Sequence, residues 1–266
     1  MKKQIGIIAG SGDFPDFVVE KALQTGFHCV VAGIKGEADP LIENKVSLFK
    51  WFDVEDIFSL ISFFKQNAIK EILFAGKIDP RVIFQKKELL QELEERGEER
   101  KPSHLIGKVI DLMEQQGMEV QDPRPFISPL FCKEGRLNKI EISSEVKENI
   151  EFGWKTAKSM ADMDIGQTVV VKEKTVVAVE GMEGTDQAIQ RGGKLAGEGT
   201  VVVKVIRSSQ DYRVDLPAVG LNTVKSLVNS QSAALCLEAG AMPFFRKQES
   251  ISLADSYKIS LVAKSS

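Results

Sequence analysis

Short apolar segments alternate with helical segments through the first part of the chain, and this alternation constrains the fold more than any other feature. Gln4 to Ala9 is a brief, nearly continuous β-branched run, which is typical of a strand buried on both faces. A glycine turn and Pro15 follow, and apolar residues then recur at helical spacing as far as Gly26. Because a strand, a helix and a second strand in succession require a crossover connection, the pattern predicts a parallel sheet.

The alternation continues along the chain. We expect further strands at Cys29 to Ala32 and at Ile72 to Ala75, with an amphipathic helix from Ile57 to Phe64 between them. The charged stretch from Lys86 to Lys101 predicts an exposed helix with ion pairs between residues four apart. A further helix is expected from Leu105 to Gln116, because Gly117 ends its pattern.

A proline cluster over residues 122–129 is predicted to be a linker between two parts of the chain with different sequence patterns. We expect residues 1–135 to form a Rossmann-like α/β domain with a parallel sheet, and residues 136–266 to form a second α/β domain with a mixed sheet. The elements predicted in the second part are helices at Val146 to Met160 and Asn222 to Asn229, a short helix after Asp186, a hairpin of Thr168 to Val171 with Thr175 to Val179, and strands at Val201 to Ile206, Ala233 to Leu237 and Ile259 to Val262.

The composition excludes several classes of protein. The net charge is −3, so no basic excess is present to neutralise nucleic-acid phosphates, and we expect no nucleic-acid partner. The three cysteines lack CxxC spacing, which argues against a disulfide framework or a thiolate zinc site and indicates a reducing compartment. Two histidines are too few for a histidine-rich metal site. No apolar run has the length of a membrane span or a signal peptide, and we expect a cytoplasmic protein.

Two strand ends in the first part carry candidates for anion binding. Gly10, Ser11 and Gly12 follow the first strand and precede a helix, so their amides and the helix N-terminus are suited to phosphate. Lys77 follows the third predicted strand, at the end where open α/β sheets bind ligands. A structural turn and a solvated lysine are the alternatives. Pro15 replaces the third glycine of the dinucleotide fingerprint, which weakens an interpretation as an NAD-binding protein.

Two acidic segments in the second part carry candidates for metal binding and catalysis. Glu180, Glu183 and Asp186 lie within one segment after a strand, and oxygen ligands of this kind suit Mg²⁺, although Thr185 or Asp186 could instead cap the next helix. Asp211 and Asp215 flank Arg213 in the loop from Arg207 to Gly220, which we call the late loop. Two carboxylates with one arginine can hold a metal, orient a water and clamp a phosphoryl group, whereas a surface Asp–Arg network is the alternative.

Four segments together resemble a known family. They are Ile7 to Pro15, Asp164 to Val171, Ala178 to Asp186 and Gln210 to Gly220. In this order and at this spacing they resemble the LpxI family, the UDP-2,3-diacylglucosamine pyrophosphatases of lipid A synthesis.

The resemblance implies an activity and its requirements. Enzymes of this family hydrolyse UDP-2,3-diacylglucosamine to UMP and 2,3-diacylglucosamine 1-phosphate, with water attacking the phosphorus nearer the sugar. They depend on Mg²⁺ or a similar divalent ion such as Mn²⁺. The resemblance also implies a homodimer of two-domain subunits, and a lipid substrate is consistent with peripheral contact at the inner membrane. An NAD-linked oxidoreductase and a non-catalytic protein that binds a UDP-sugar or a lipid are the alternative functions.

Site residues follow from the motifs and the resemblance together. We expect Asp215 to be the essential carboxylate, with Asp211 as its rival. The expected metal ligands are Asp211, Glu183 and Asp186. The expected substrate-binding residues are Gly10, Ser11, Gly12, Lys77, Thr185, Lys204, Gln210 and Arg213.

Overall fold

The computed structural model describes residues 3–78, 102–213 and 215–265, and of residues 102–105 it describes the backbone alone. The chain divides into two units. The first comprises Met1–Ile127 and Asp211–Leu216, and the second comprises Ser128–Gln210 and Pro217–Ser266. The division at Ile127 lies upstream of the boundary that the sequence predicts near residue 135, and part of the late loop groups with the first unit.

The first unit is built on a parallel sheet. Its elements are β1 (Gln4–Ala9), α1 (Phe14–Gln24), β2 (His28–Ile34), a 3-10 helix (Pro40–Lys45), β3 (Leu48–Phe52), α2 (Ile57–Gln66), β4 (Glu71–Ala75), α3 (Pro102–Gln115), β5 (Glu119–Val120) and α4 (Arg124–Ile127). The strand order is β3-β2-β1-β4-β5, and every neighbouring pair is parallel. The chain therefore moves outward from β1 through β2 and β3, then crosses to β4 on the other side of β1. The helix predicted from Lys86 to Lys101 lies outside the described residues.

The core explains why these segments form strands and helices. Ile8 of β1 and Ile72 of β4 pack with Phe64 of α2 and Met113 of α3 on one face of the sheet. Ile7 is fully buried on the other face, so both faces of β1 are covered. Burial of each such side chain contributes about 1.5–3 kcal/mol.

The second unit is built on a mixed sheet. Its elements are β6 (Gly135–Arg136), α5 (Ser144–Asp162), β7 (Thr168–Lys172), β8 (Thr175–Val179), α6 (Thr185–Ala196), β9 (Val201–Lys204), α7 (Leu221–Asn229), β10 (Ala234–Glu238), α8 (Lys247–Ser256) and β11 (Ser260–Lys264). The strand order is β6-β11-β10-β9-β7-β8. β9, β10 and β11 are parallel, and the remaining pairs are antiparallel. The predicted α/β class, a parallel sheet followed by a mixed sheet, is confirmed.

Successive residues of the central strands face opposite sides of this sheet. Val169 of β7 packs with Trp154 of α5, whereas Val170 packs with Ile189 of α6. Helices therefore cover both faces of the sheet, as the continuous valine runs of β7 and β9 require. None of the helices among the described residues is long and apolar enough to cross a membrane.

Candidate active site

The two anion-binding candidates of the first unit lie against each other. β1 and β4 are neighbours, so their carboxyl ends meet, and the segments that follow them pair through Ser11 and Lys77. The amide of Ser11 donates to the Lys77 carbonyl at 2.7 Å, and the amide of Lys77 donates to the Ser11 carbonyl at 3.0 Å. A Cβ on Gly10 would collide with the Lys77 carbonyl, so this close approach requires glycine.

This pairing revises the predicted role of the glycine turn. The amide of Gly10 donates to the Ala75 carbonyl at 2.8 Å, and the Ser11 amide and hydroxyl both donate to Lys77. These donors are engaged within the protein, so the Gly10 and Ser11 amides do not form the open phosphate cradle that the sequence predicts. Gly12 and the side chain of Lys77 are exposed at the same turn, and their phosphate-binding role stays a prediction.

A buried lysine lies at the start of a helix in the second unit. Lys204, the last residue of β9, is 5% exposed, and its ammonium donates to the Thr185 hydroxyl at 2.6 Å. The Thr185 hydroxyl in turn donates to Glu180 Oε1 at 2.9 Å. Within the described part of the chain, Thr185 is the single hydrogen-bond partner of this ammonium, although a buried charge is normally paired directly. Thr185 and Lys204, which were both predicted from the sequence to bind substrate, are therefore in direct contact.

The helix beside this lysine begins without a side-chain cap. Gly184 is the N-cap residue of α6, with a φ of 82°, and neither Thr185 nor Asp186 caps the helix as the alternative interpretation proposed. An uncapped N-terminus presents amide donors and a partial positive charge, which suit an anion. The buried ammonium and the amides of the helix start are donors suited to a phosphoryl group, and the Glu180 carboxylate lies beside them through its bond with Thr185.

Arginines hold two of the three predicted metal ligands. Glu183 pairs with Arg191 and accepts from the Gly181 amide at 3.1 Å. Burial opposes ionisation of Glu183, but these donors outweigh it and lower the pKa of its carboxyl. Asp211 is held by Arg213 in the late loop, as described below.

The remaining ligand, Asp186, is different. Its Oδ1 atom is buried and accepts no hydrogen bond from a described residue.

The described residues contain no group of three or more His, Cys, Asp or Glu side chains that could hold a metal ion. The predicted ligand set of Asp211, Glu183 and Asp186 stays a prediction. A single carboxylate oxygen without a donor still fits Mg²⁺, because this ion usually binds one or two carboxylates and keeps waters or substrate phosphates as its other ligands.

An arginine holds one of the two rival aspartates of the late loop. Arg213 donates to both carboxylate oxygens of Asp211, from Nε at 3.2 Å and from Nη2 at 2.9 Å, and its amide donates to Oδ1 at 3.0 Å. The Arg213 guanidinium lowers the pKa of the Asp211 carboxyl, against the opposing effect of burial. The Asp215 amide donates to the Asp211 carbonyl at 3.1 Å, which closes a turn between the two aspartates. Asp211 is thus a weak base, and both of its carboxylate oxygens accept hydrogen bonds from Arg213.

The late loop is also held by an aromatic contact in the first unit. The Arg124 guanidinium stacks on the Tyr212 ring at 4.2 Å, and Asp122 pairs with Arg124. Arg213 Nη1 lies 3.7 Å from Glu114 of α3. The proline cluster that contains Asp122 and Arg124 was predicted to be a linker, so these contacts could not be anticipated from the sequence.

Carboxylates hold the start of the late loop in the second unit. Asp164 pairs with Arg207, and Asp162 accepts from the Ser208 amide at 2.8 Å. Gln210, a predicted substrate-binding residue, accepts from Gln167 at 3.2 Å and from Arg207 at 3.3 Å.

A buried ion pair was missed by the sequence reasoning. Lys158 of α5 pairs with Glu238 of β10 at 3.1 Å, and Glu238 is 7% exposed. The available signal was helical spacing, since Lys158 comes four residues after the buried Trp154 and Glu238 ends a continuous apolar strand.

Thiol chemistry plays no part in this arrangement. Burial raises the pKa of the Cys29 thiol to about 11 and that of the Cys236 thiol to about 12, so neither is a nucleophile near neutral pH.

Comparison with known proteins supports the resemblance seen in the motifs. Residues 4–130 match the family model of the LpxI N-terminal domain, and residues 133–262 match that of the LpxI C-terminal domain. The UDP-2,3-diacylglucosamine pyrophosphatase LpxI of Caulobacter vibrioides is 25% identical over 273 residues, which cover 95% of this chain and 94% of that protein.

Solved structures give weaker matches. The biotin carboxylase domain of Hydrogenobacter thermophilus 2-oxoglutarate carboxylase is 12% identical, covers 74% of this chain and 41% of its own, and has a TM-score of 0.30. Isoflavone reductase is 10% identical, covers 100% of this chain and 79% of its own, and has a TM-score of 0.31. At scores this low neither structure carries an argument. Because the two family models together cover almost the whole chain, the protein belongs to the LpxI family.

Proposed function

We propose that this protein hydrolyses the pyrophosphate bond of UDP-2,3-diacylglucosamine, giving UMP and 2,3-diacylglucosamine 1-phosphate in lipid A synthesis. Membership of the LpxI family and the activity for which the Caulobacter relative is named support the substrate. The structural observation that carries the proposal is the contact of the buried Lys204 ammonium with Thr185 at the uncapped start of α6. A buried ammonium with a neutral hydroxyl as its partner is suited to a phosphoryl oxygen.

Lys204 and Thr185 act on the charge of the diphosphate. Negative charge grows on the phosphoryl oxygens in the transition state, and donors fixed before the reaction stabilise it without reorganising. Lys204 is fixed by burial in β9, and Thr185 is fixed by its bond to Glu180. The Thr185 hydroxyl points its proton at Glu180, so the ammonium supplies the proton donors toward the substrate.

Asp215 is the residue that we assign to water activation. A general base needs an oxygen that can accept the proton of water. The resemblance of the late loop to the LpxI family supports Asp215 for this role, and Arg213, which binds both oxygens of Asp211, lowers the pKa of that rival carboxyl and makes it a weaker base. Asp215 takes a proton as the water oxygen forms a bond to the phosphorus nearer the sugar. The bond from that phosphorus to the bridging oxygen breaks, and UMP leaves with the bridging oxygen. Asp211 holds Arg213 in place for the phosphate.

A divalent cation completes the proposed requirements. Mg²⁺ would neutralise charge on the diphosphate when bound. Asp186 is suited to hold it, because its buried Oδ1 atom accepts no hydrogen bond from a described residue. Glu183 and Asp211 are less suited, since each already neutralises an arginine. The proposal includes peripheral contact with the inner membrane, because the substrate is a lipid. It also includes a homodimer, which the resemblance to the family implies.

The test is a product analysis. Purified protein is incubated with UDP-2,3-diacylglucosamine in mixed micelles, with Mg²⁺ or with EDTA, and the products are separated by mass spectrometry. The proposal expects UMP and the lipid 1-phosphate in equal amounts, and only with the metal. Binding of the UDP-lipid without turnover under any divalent ion would instead support the alternative of a non-catalytic binding protein.

A further inference from the structure

One peptide group at the start of the late loop is held from both sides by a buried ion pair. The Ile206 amide donates to Glu238 Oε2 at 2.9 Å, and the Ile206 carbonyl accepts from Lys158 Nζ at 3.1 Å. Lys158 also donates to both oxygens of Glu238, at 3.1 and 3.2 Å. The ion pair and the peptide therefore form a closed ring of hydrogen bonds, which we call the loop anchor.

The loop anchor has neighbours that act on the next residues of the loop. Arg207 pairs with Asp164, and the Ser208 amide and hydroxyl both donate to Asp162, at 2.8 and 3.1 Å. Three consecutive residues are thus bound by side chains that come from α5, from the turn after it and from the end of β10. The chain leaves the sheet in one defined direction as a result.

Stability alone does not account for this arrangement. The side chains of Lys158 and Glu238 are 24% and 8% exposed, and desolvation of two charges offsets most of the attraction between them. The comparable pair Lys174–Glu148 lies in solvent, with both side chains 61% exposed. A buried pair that binds both polar groups of one peptide is better suited to fixing backbone position than to adding stability.

The location of the loop anchor connects it to the proposed chemistry. Ile206 follows Lys204, the buried cation of β9, and precedes the segment that carries Asp211, Arg213 and Asp215. The loop anchor fixes the point at which the backbone that leads to this segment leaves the sheet. Errors of about 1 Å in such groups reduce rates about 100-fold.

We propose that Glu238 and Lys158 are positioning residues for the hydrolysis, which set the course of the late loop and so the place of its reacting carboxylate. This inference rests on the proposed function. Neither residue touches the substrate in this account, and both act through the Ile206 peptide. Lys204 and Thr185, which lie outside the late loop, supply part of the substrate affinity in the proposed function, so KM is affected less than the rate of the chemical step.

The principal test is Glu238→Gln, which keeps the volume of the side chain and removes its charge. We expect kcat to fall about 10- to 100-fold, as for other groups that orient reacting residues, while KM changes less than about threefold. Lys158→Met should show the same pattern, and Lys158→Arg should recover most of the rate because it retains a cation with several donors.

The matched control is Glu151→Gln. Glu151 also lies on α5 and pairs with a lysine, Lys264, at 3.1 Å, and this pair includes no described residue of the late loop. We expect this variant to keep the parental kcat. Equal losses of kcat in Glu238→Gln and Glu151→Gln, in proportion to lost thermal stability, would overturn the proposal, as would a parental kcat in folded Glu238→Gln.

A second measurement separates this inference from the proposed function. Hydrogen exchange of backbone amides is followed for the peptide that covers residues 205–210, in the parent, Glu238→Gln and Glu151→Gln. We expect faster exchange of the Ile206 and Ser208 amides in Glu238→Gln alone. If the parent protein did not hydrolyse the UDP-lipid, the proposed function would be wrong. The exchange measurement would still show whether Glu238 holds the backbone of the loop anchor. Unchanged exchange in Glu238→Gln would refute the anchor whatever the activity.

Discussion

The ammonium of Lys204 donates to the hydroxyl of Thr185 at 2.6 Å in the buried interior of the second unit. β9 supplies the lysine and α6 supplies the threonine, so packing of this helix on the sheet brings them together. Glu180 is the nearest negative partner in the hydrogen-bond chain, and it acts through the hydroxyl instead of contacting the ammonium. In the proposed function, the remaining donors of this ammonium bind the diphosphate.

Lys204→Met should separate activity from stability. We expect kcat/KM to fall about 100- to 1,000-fold, the range for loss of one fixed donor to a developing negative charge. The thermal midpoint should stay close to the parental value, because the variant also removes the desolvation penalty of a buried charge. Lys172→Met is the control, since Lys172 lies in the same sheet and donates to the Ala196 carbonyl at 2.8 Å. An active Lys204→Met protein would refute the assigned role.

The two aspartates of the late loop should behave differently. Asp215→Asn is expected to lower kcat by at least about 100-fold with little change in KM, which is the effect of losing a general base. Asp211→Asn should chiefly raise KM, because it releases Arg213 from its bidentate partner. Steady-state kinetics of both variants test this. The reverse pattern would assign the base to Asp211.

Asp211 should also contribute to stability in a pH-dependent way. Its pKa is lowered in the folded protein by Arg213, so the unfolded chain binds more protons as the pH falls below about 4. The contribution is therefore present near neutral pH and is lost in acid. Urea unfolding between pH 6 and pH 3 should show that Asp211→Asn destabilises the protein at pH 6 and has a smaller effect at pH 3. An equal effect at both pH values would contradict this origin.

Close backbone contacts predict that two glycines cannot be replaced. A Cβ at Gly10 would collide with the Lys77 carbonyl, and a Cβ at Gly166 would collide with the Glu180 carbonyl. We expect Gly10→Ala and Gly166→Ala each to lower the free energy of unfolding by about 1–3 kcal/mol. Gly107 of α3 is the control, since no atom of the described residues lies within 4 Å of its added Cβ and alanine there should stabilise the helix by up to about 1 kcal/mol. Denaturant unfolding measures all three.

Asp186 should determine the metal requirement. Asp186→Asn is expected to raise the Mg²⁺ concentration for half-maximal rate about 10-fold or more, since one of few protein ligands is lost. Glu183→Gln removes a carboxylate that already pairs with Arg191 and should leave this concentration nearly unchanged. Titration of activity with Mg²⁺ compares them. A larger effect from Glu183→Gln would contradict the assignment to Asp186 and identify Glu183 as the metal ligand.

Most strands could be predicted because their apolar runs are continuous. Val201 to Lys204 and Ala234 to Glu238 lie in the middle of a sheet that is covered on both faces, and this burial produces an unmistakable pattern. Leu48–Phe52 was not predicted, because it is an edge strand in which an exposed lysine interrupts a half-buried run. Lys247–Ser256 was missed because its fully buried positions are Ser250 and Ala254, small residues that give a weak helical pattern.

The candidate site was predictable in its residue types more than in its contacts. Lys204 and Thr185 were each identified from the sequence, and the structure brings them together. The engagement of the Gly10 and Ser11 amides could not be foreseen, because it depends on β4 lying next to β1. Helical spacing indicates that Lys158 lies beside the core, but it could not indicate the pairing with Glu238, which is 80 positions away.

The most direct test of the central claim is the position of the oxygen that comes from water. The protein is incubated with UDP-2,3-diacylglucosamine and Mg²⁺ in ¹⁸O-enriched water, and both products are examined by mass spectrometry. The account predicts one heavy oxygen in the lipid 1-phosphate and none in UMP, because water attacks the phosphorus nearer the sugar. Heavy oxygen in UMP would contradict this direction of attack, and the absence of both products would contradict the hydrolysis itself.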